Sequence, residues 1–516
     1  MTDWKFRARQ TGGFVRTLFK SKMAIAGLII LIVYGFLAAA APLLTPYDPQ
    51  RTVVSGSFAP PAWYRYFNEG SGLSQNQALD SQTAFTTDPL QTGWTFAASD
   101  PTLVKASYDP TTNFLLGSGS LKITVDRSAS PGNAVYTATF KKAFTWSYNG
   151  PPARFLGSLV IKTPTATSLE PIGADVFIER TTHDYHRWNI TDTAPTNNTA
   201  SPPYYNQSWA NYPFNTTVWQ VPQSLDSNSL SIRNILGVDL NPAQLILSSP
   251  DQYAFGVSVT FTSATPSTKP LFVYIDDVNL KLYGTSWGLL GTDNLGLDIW
   301  SQLINGARIS LAVGLLSAFI GIALGLVVGL IAGYLGKIVD EVLMRFTDML
   351  LVIPGLPLLI VLVSVIGNSF GPGRTAALIL IIGFLGWMGF ARVVRAQVLS
   401  LKERPFVEAA KAAGAGTGHI TTRHIIPNIV GLIYVNLALA VPGAILSEAA
   451  LSFLGLGDVT VLSWGRMLNL VQENGAQSTW WWVLPPGLSI ALVSLAFVMI
   501  GFSLDTLFNP RLRQRR

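Results

Sequence analysis

The chain has 516 residues, a formal net charge of +6 and only 12% charged residues, where about 25% is usual in soluble proteins. It contains no cysteine, which excludes disulfides, thiolate metal sites and cysteine nucleophiles. Apolar residues are concentrated in 23–44 and 307–503, whereas 50–286 is rich in Ser, Thr, Asn, Pro and Tyr. With a mean hydropathy of +0.34, this distribution predicts a membrane protein that carries one large soluble insertion.

The chain begins with a basic segment, residues 1–22, followed by an apolar run at 23–44. That run is longer than the apolar core of a secretory signal, and no clear A-x-A cleavage site leads into a mature start. We interpret residues 1–22 as a cytoplasmic segment and 23–44 as a retained first span.

Residues 45–286 show the alternation that is typical of half-buried β-strands. Apolar side chains recur at every second position in three stretches: Leu121, Ile123 and Val125; Val257, Val259 and Phe261; Val278, Leu280 and Leu282. Roughly 230 residues suffice for a domain with its own core. The sequence therefore predicts an inserted all-β domain of the sandwich or jelly-roll type.

The insertion also contains four N-x-S/T sequons, at Asn189, Asn197, Asn206 and Asn215. Such sequons mark surface positions that can be glycosylated in an exported domain. The alternative is chance occurrence in a stretch that is rich in Asn and Thr.

A helix needs about 20 apolar residues to cross the hydrocarbon core of a bilayer. Six segments meet this requirement: 23–44, 307–333, 348–367, 375–396, 426–447 and 481–503. Basic residues cluster at the N-terminus, in 392–423 and in the tail 504–516, and the positive-inside rule assigns such clusters to the cytoplasm. We predict a multi-pass protein of the cell membrane with both termini in the cytoplasm and 45–286 outside.

The second span has a glycine at every fourth position, and these glycines share one face of the helix: Gly321, Gly325, Gly329 and Gly333. Glycine as mere apolar filler would not produce this period, so we predict a face that packs closely against another helix. Pro354 and Pro357 in the third span and Pro442 in the fifth predict kinks.

Between the fourth and fifth spans lies a segment too polar to cross a membrane, residues 397–428. Pro405 suits the first turn of a helix, Gly414 ends that helix, Thr417 is predicted to cap a second short helix, and Pro427 opens the fifth span. One face of the first helix combines an aromatic ring with small residues: Phe406, Ala409, Ala410 and Ala413. The segment is either an amphipathic interfacial loop or a docking element for a cytoplasmic partner.

Motifs for several kinds of chemistry are absent from the sequence. There is no G-x-x-x-x-G-K-[ST], no H-E-x-x-H and no G-x-S-x-G, so the chain has no evident ATP loop, zinc-protease site or serine nucleophile. His183 and His186 lack a third ligand nearby, and we predict no metal site. Asp348 and Glu448 lie at predicted span ends, where we expect them at the membrane interface, and neither has the position of a proton relay.

E-A-A-x-x-x-G followed by an apolar run that ends in proline resembles the EAA loop of permeases of binding-protein-dependent ABC importers. The matching residues are Glu408, Ala409, Ala410, Gly414, Ile426 and Pro427. His424 stands where many such permeases have an apolar residue. Residues 289–311, 344–360 and 446–468 resemble the second-subunit type of dipeptide/oligopeptide permease, although Leu297 and Gln302 replace its usual arginines.

The resemblance implies the six-helix fold of a type I ABC importer permease, with a core at 287–503 and the EAA loop at 401–425. It also implies cytoplasmic ATPase subunits that bind ATP and Mg²⁺, a sister permease in a heterodimer and an exterior solute-binding protein. This chain would hold no cofactor and no nucleic acid. Phe406 and the alanines would pack into a groove of the ATPase, and Glu408 would bind a donor there. Gly414, His424 and Pro427 would belong to the same ATPase-coupling loop.

Three other functions compete with a peptide importer. The same transporter class also carries oligosaccharides or nickel. A membrane-anchored exterior binding or adhesion protein would explain the insertion, whose residues 117–125 and 273–284 resemble jelly-roll carbohydrate-binding modules, but not the later spans. A channel or carrier that needs no ATP would explain the spans but not residues 408–428.

Overall fold

The computed structural model describes most of the chain, namely residues 21–80, 84–114, 117, 119–167, 170, 172–191, 219, 225–366 and 373–508. Two compact units are present. Val53–Asp298 forms a β-rich unit, and the chain before Val53 forms a helical unit with the chain from Ile299 onward. The β-rich unit ends later than the predicted 286 because residues 287–298 hydrogen-bond back to residues 54–62.

The β-rich unit contains eleven strands among its described residues. They are β1 (Gln77–Ala78), β2 (Trp94–Ala98), β3 (Val104–Asp109), β4 (Ser120–Val125), β5 (Ala134–Trp146), β6 (Arg154–Lys162), β7 (Ile172–Arg180), β8 (His186–Asn189), β9 (Leu225–Asp226), β10 (Asp251–Ser263) and β11 (Leu271–Tyr283). One antiparallel sheet has the order β3-β4-β11-β6-β9, with β1 beside β11, and the other has the order β2-β5-β10-β7-β8. Apart from the β7–β8 hairpin, consecutive strands from β4 onward alternate between the two sheets, which is the jelly-roll arrangement.

The two sheets share one apolar core, which the alternating residues build. Leu121, Ile123 and Val125 of β4 and Val257 and Val259 of β10 are fully buried together. The period-two pattern thus puts one face of each strand inward, as the sequence predicts. Two short helices, Leu230–Leu236 and Pro242–Ile246, complete this unit.

Helices make up the other unit. They are α1 (Lys22–Ala39), α2 (Ala41–Leu44), α3 (Ile299–Leu335), α4 (Lys337–Val352), α5 (Gly355–Ile366), α6 (Arg374–Leu385), α7 (Met388–Lys402), α8 (Pro405–Ala412), α9 (Thr417–Ile420), α10 (Ile426–Phe453), α11 (Trp464–Glu473) and α12 (Trp480–Phe508). Within the described residues, five helical stretches are long and apolar enough to cross a membrane: Lys22–Ala39, Ile299–Leu335, Arg374–Lys402, Thr417–Phe453 and Trp480–Leu507. A sixth span exists only if α4 and α5 are counted together.

The predicted third span, 348–367, is wrong as a single helix. Helix α4 already begins at Lys337, inside a predicted loop, and the chain bends by 90° before α5. The cause is Pro354, which has no amide hydrogen and forces the preceding residue out of helical geometry; Ile353 has φ −70° and ψ 128°. The predicted kink is therefore a full break.

Helix α3 packs against α6 and α7 through its four periodic glycines, which we call the glycine seam: Gly321, Gly325, Gly329 and Gly333. All four are buried. A Cβ on Gly325 would lie 2.7 Å from the carbonyl oxygen of Trp387, and one on Gly329 would lie 2.6 Å from that of Ala391. The helices thus approach each other backbone to backbone, where only glycine fits.

Candidate coupling segment and membrane cavity

Residues 405–425, here named the coupling segment, lie between α7 and α10. Pro405 begins α8, and Gly414 follows it with φ +82°, a left-handed conformation that favours glycine. Helix α9 starts after Gly416 without a side-chain cap, so the predicted cap at Thr417 is wrong: Thr417 is already the first helical residue. A π-helical turn, Thr421–Ile425, then leads directly into α10.

Three aliphatic side chains hold the coupling segment on the rest of the unit. Val407, Ile420 and Ile425 are buried in one cluster with Val394 and Val398 of α7. Sequence reasoning missed Val407, because a helix of eight residues is too short for a convincing period. The anchored side connects the coupling segment to α7, which packs against the glycine seam.

The opposite side of the coupling segment is exposed. Phe406 is 42% exposed, and Glu408 and Ala409 lie open beside it. The Phe406 ring centroid lies 6.3 Å from that of His424, which lies 6.0 Å from that of His419. The structure therefore brings Phe406, His419 and His424 together, although Phe406 and His424 lie eighteen residues apart in the sequence.

The predicted face of Phe406 and three alanines is divided in the structure. Ala409 and Ala413 are exposed, whereas Ala410 is half-buried and packs on the anchoring cluster. Pro427 is exposed in the first turn of α10. The exposed face of α8 is thus smaller than predicted, because Ala410 does not belong to it.

Ion pairs connect α4 to α7, behind the coupling segment. The guanidinium of Arg395 binds the carboxylate of Asp340 in a two-pronged contact, with one nitrogen–oxygen distance of 2.6 Å, and Arg392 pairs with Asp348. Lys402 reaches the carbonyl oxygen of Gly333, at 3.3 Å. Polar contacts therefore connect α7 to α4 as well as to α3.

A cavity of about 390 Å³ lies on the side of the helical unit formed by α3–α7 and α10. Its walls are small or apolar, with hydroxyls from Ser317 and Ser447 and a methionine, Met388, but no charged side chain. Gly321 belongs both to the glycine seam and to this wall. Helices that hold the coupling segment thus also line the cavity.

Glu448 is buried, although the sequence predicts an interfacial position. It is only 2% exposed and lies among neighbouring helices, five residues before the end of α10. Its carboxylate accepts a hydrogen bond from Ser452, at 2.7 Å, and lies 3.5 Å from the hydroxyl of Ser310 on α3. Ser310 in turn accepts the backbone amide of Trp464, at 3.1 Å, so the cluster ties α3, α10 and α11 together.

The remaining predicted residues are spread over the β-rich unit. Asn189 is exposed on β8, and the other three sequons, Asn197, Asn206 and Asn215, lie outside the described residues. His183 pairs with Asp251, at 3.2 Å, while His186 packs on Trp188. Among the residues that the structure describes, no three potential ligands converge as a metal site would require.

Two family models match the chain. Residues 325–514 match the binding-protein-dependent transport system inner membrane component, and residues 10–61 match the N-terminal TM domain of oligopeptide transport permease C. Neither model extends over 62–324, which contains most of the β-rich unit.

Curated relatives also match part of the chain. The dipeptide transport system permease protein DppC of Bacillus subtilis is 37% identical over 241 residues, which are 46% of this chain and 73% of the relative. The oligopeptide transport system permease protein OppC of Haemophilus influenzae is 39% identical over 224 residues, 43% of this chain and 70% of the relative. Among solved structures, the inward-facing methionine ABC transporter MetNI is 20% identical, with a TM-score of 0.32, and the match spans 40% of this chain and 94% of that one.

Proposed function

This chain belongs to the family of binding-protein-dependent transport system inner membrane components, and on that premise we propose that it is a permease subunit of an ATP-driven importer of dipeptides or oligopeptides. The substrate class rests on the relatives, whose names specify dipeptide and oligopeptide transport. ATP and Mg²⁺ are bound by separate ATPase subunits. The observation that carries the mechanism is the coupling segment, exposed on one side and anchored to cavity-lining helices on the other.

The ATPase docks on the exposed side of the coupling segment. Phe406 offers an aromatic ring that a groove can enclose, and the small side chain of Ala409 lets that groove close around it. Glu408 offers a carboxylate to donors on the partner. Ala410, Gly414 and His424 have structural roles in the coupling segment, because they hold its backbone and the Phe406 ring in place.

Motion of the docked coupling segment reaches the cavity by two routes. One runs through Val407 to α7 and across the glycine seam to α3. The other runs through the π-helical turn into α10, whose Gly443 and Ser447 line the cavity. Tightly packed helices move as bodies, because interfaces of this kind shift between discrete arrangements and deform little.

The cavity forms one half of the transport path, and a sister permease supplies the other half. Its open side and its small, uncharged walls suit a passage that a second subunit completes. The coupling segment and both termini lie in the cytoplasm, as the basic residues around them favour. The β-rich unit then lies outside, where a solute-binding protein delivers the substrate.

Co-purification tests the docking of the ATPase. The full chain, expressed with the ATPase and sister subunits of its transporter, should retain the ATPase in mild detergent. Phe406→Glu should abolish that retention, since it puts a charge into an apolar contact, whereas Leu240→Glu, at an exposed apolar position of the β-rich unit, should not. Retention of the ATPase by Phe406→Glu would contradict the proposed docking site.

A further inference from the structure

The β-rich unit exposes a set of large apolar side chains close to both of its chain ends, which we name the aromatic patch: Phe58, Trp63, Tyr66, Phe67, Leu289 and Leu295. Tyr66 is 78% exposed and Phe67 is 57% exposed. The rings of Trp63 and Phe67 contact each other edge to face, with centroids 6.2 Å apart. Large exposed apolar groups that cluster in this way mark an interaction surface.

The aromatic patch is held rigidly. Phe58 has φ +53°, a left-handed conformation that is costly for a bulky side chain. The indole nitrogen of Trp63 donates to the carbonyl oxygen of Leu289, at 2.9 Å. Backbone hydrogen bonds join Phe58 to Asp293 and Ala62 to Gly288. The fold thus fixes these partly exposed apolar side chains at the surface.

Chain continuity keeps the aromatic patch near the membrane. Leu295 is four residues from Ile299, where α3 begins, and four residues span at most about 14 Å. On the helical unit, the side-chain amide of Asn305 lies 3.2 Å from the hydroxyl of Thr45, just after the first predicted span. Ile299 lies six residues before Asn305, at the start of α3, or about 9 Å away along the helix, which is comparable to the depth of the lipid headgroup region.

We propose that the aromatic patch inserts into the headgroup region of the bilayer and anchors the β-rich unit to the lipid surface. Tyr, Trp and Arg side chains suit this layer, because each combines an apolar body with a polar end. Arg65 follows the pattern, since its guanidinium lies 5.2 Å from the centre of the Tyr66 ring and can reach lipid phosphates. The partner is therefore lipid, and the anchor does not depend on the transported substrate.

The absence of cysteine allows a direct test on the full chain. Tyr66→Cys carries a spin label, and the chain is placed in nanodiscs of phosphatidylcholine and phosphatidylglycerol. Tyr185→Cys is the matched control, because Tyr185 is 66% exposed on the hairpin between β7 and β8. The accessibility of each label is measured towards oxygen, which concentrates in lipid, and towards a water-soluble nickel chelate.

The proposal predicts a severalfold higher oxygen-to-nickel accessibility ratio at residue 66 than at residue 185. Equal ratios at the two positions would overturn it. Low accessibility to both reagents at residue 66 would also overturn it, because that result means a protein partner covers the patch. If Tyr66→Cys fails to fold, Phe67→Cys serves as the second label position with the same expected outcome.

Discussion

The glycine seam and the coupling segment both depend on glycine, for opposite reasons. A Cβ on Gly329 would meet backbone and side-chain atoms of α7 at 2.6 Å, whereas nothing lies within 4 Å of a Cβ on Gly414. The seam needs glycine because space is missing, and the coupling segment needs it because the backbone turns with φ +82° at Gly414. The glycine seam is a closely packed helix contact, whereas the coupling segment is an exposed surface. Substitutions in the seam should therefore affect stability, and substitutions in the coupling segment should affect coupling to the ATPase.

The largest effect is expected at the seam. Gly329→Leu forces α3 away from α7 and should lower the free energy of unfolding by about 3 kcal/mol or more. The measurement is thermal unfolding in detergent, followed by size-exclusion chromatography. Gly35→Leu in α1 is the control, because nothing lies within 4 Å of a Cβ there. Similar melting temperatures for the two variants would mean that the seam is not closely packed.

A smaller loss of stability is expected from removing the buried hydrogen bond between α3 and α11. Ser310→Ala leaves the buried amide of Trp464 without its acceptor and should cost about 2 kcal/mol. The same unfolding assay measures it, beside Ser447→Ala, whose hydroxyl bonds to the carbonyl of Gly443 in its own helix. An unchanged melting temperature in Ser310→Ala would show that the Glu448 cluster does not hold α11.

Substitution in the coupling segment should cost less stability still. Gly414→Val places a β-branched residue in the left-handed region, which strains the backbone by about 1–2 kcal/mol. Gly475 has φ +62° and equally open surroundings, so Gly475→Val supplies the same strain outside the coupling segment. Equal, modest decreases in melting temperature are expected, and a collapse of Gly414→Val alone would mean that Gly414 supports the fold.

The smallest effect is expected at the start of α6 and depends on pH. Asp458 accepts the backbone amide and hydroxyl of Thr375 at 3.1 and 2.8 Å. Burial alone would raise the pKa of the Asp458 carboxyl, but its hydrogen bonds from Thr460 and Thr375 hold the pKa below its ordinary value. The stabilisation of the fold by the Asp458 carboxylate is therefore complete above the ordinary carboxyl pKa of about 4. It is lost as the pH falls through the lower pKa of the folded state.

Asp458→Asn should thus be less stable than the natural chain at neutral pH by about 1 kcal/mol. The difference in melting temperature should shrink as the pH is lowered towards about 3. A difference that stays constant over this range would assign the effect to shape instead of charge.

Sequence reasoning succeeded where a pattern is local. The four-residue period of the seam and the two-residue alternation of Val257, Val259 and Phe261 are visible without a structure, because neighbours on one face share one environment. It failed where partners come from distant parts of the chain. The burial of Glu448 depends on Ser310 and on the loop before α11, and no hydropathy window contains both.

The same limit applies to the coupling segment. Its small, broken helices were predictable from Pro405 and Gly414, but the burial of Val407 and the contact of Phe406 with His424 depend on how α7 and α10 are placed. The amphipathic helix α4 was missed because its mixed composition reads as a polar loop.

The coupling segment is proposed to transmit ATPase motion to the cavity. Uptake of a labelled dipeptide and ATP hydrolysis should be measured together in proteoliposomes of the complete transporter, for Gly414→Val and for Gly475→Val. Gly414→Val is expected to lose uptake while ATP is still hydrolysed, whereas Gly475→Val is expected to retain uptake. Normal peptide uptake by Gly414→Val, or equal losses in both variants, would contradict it.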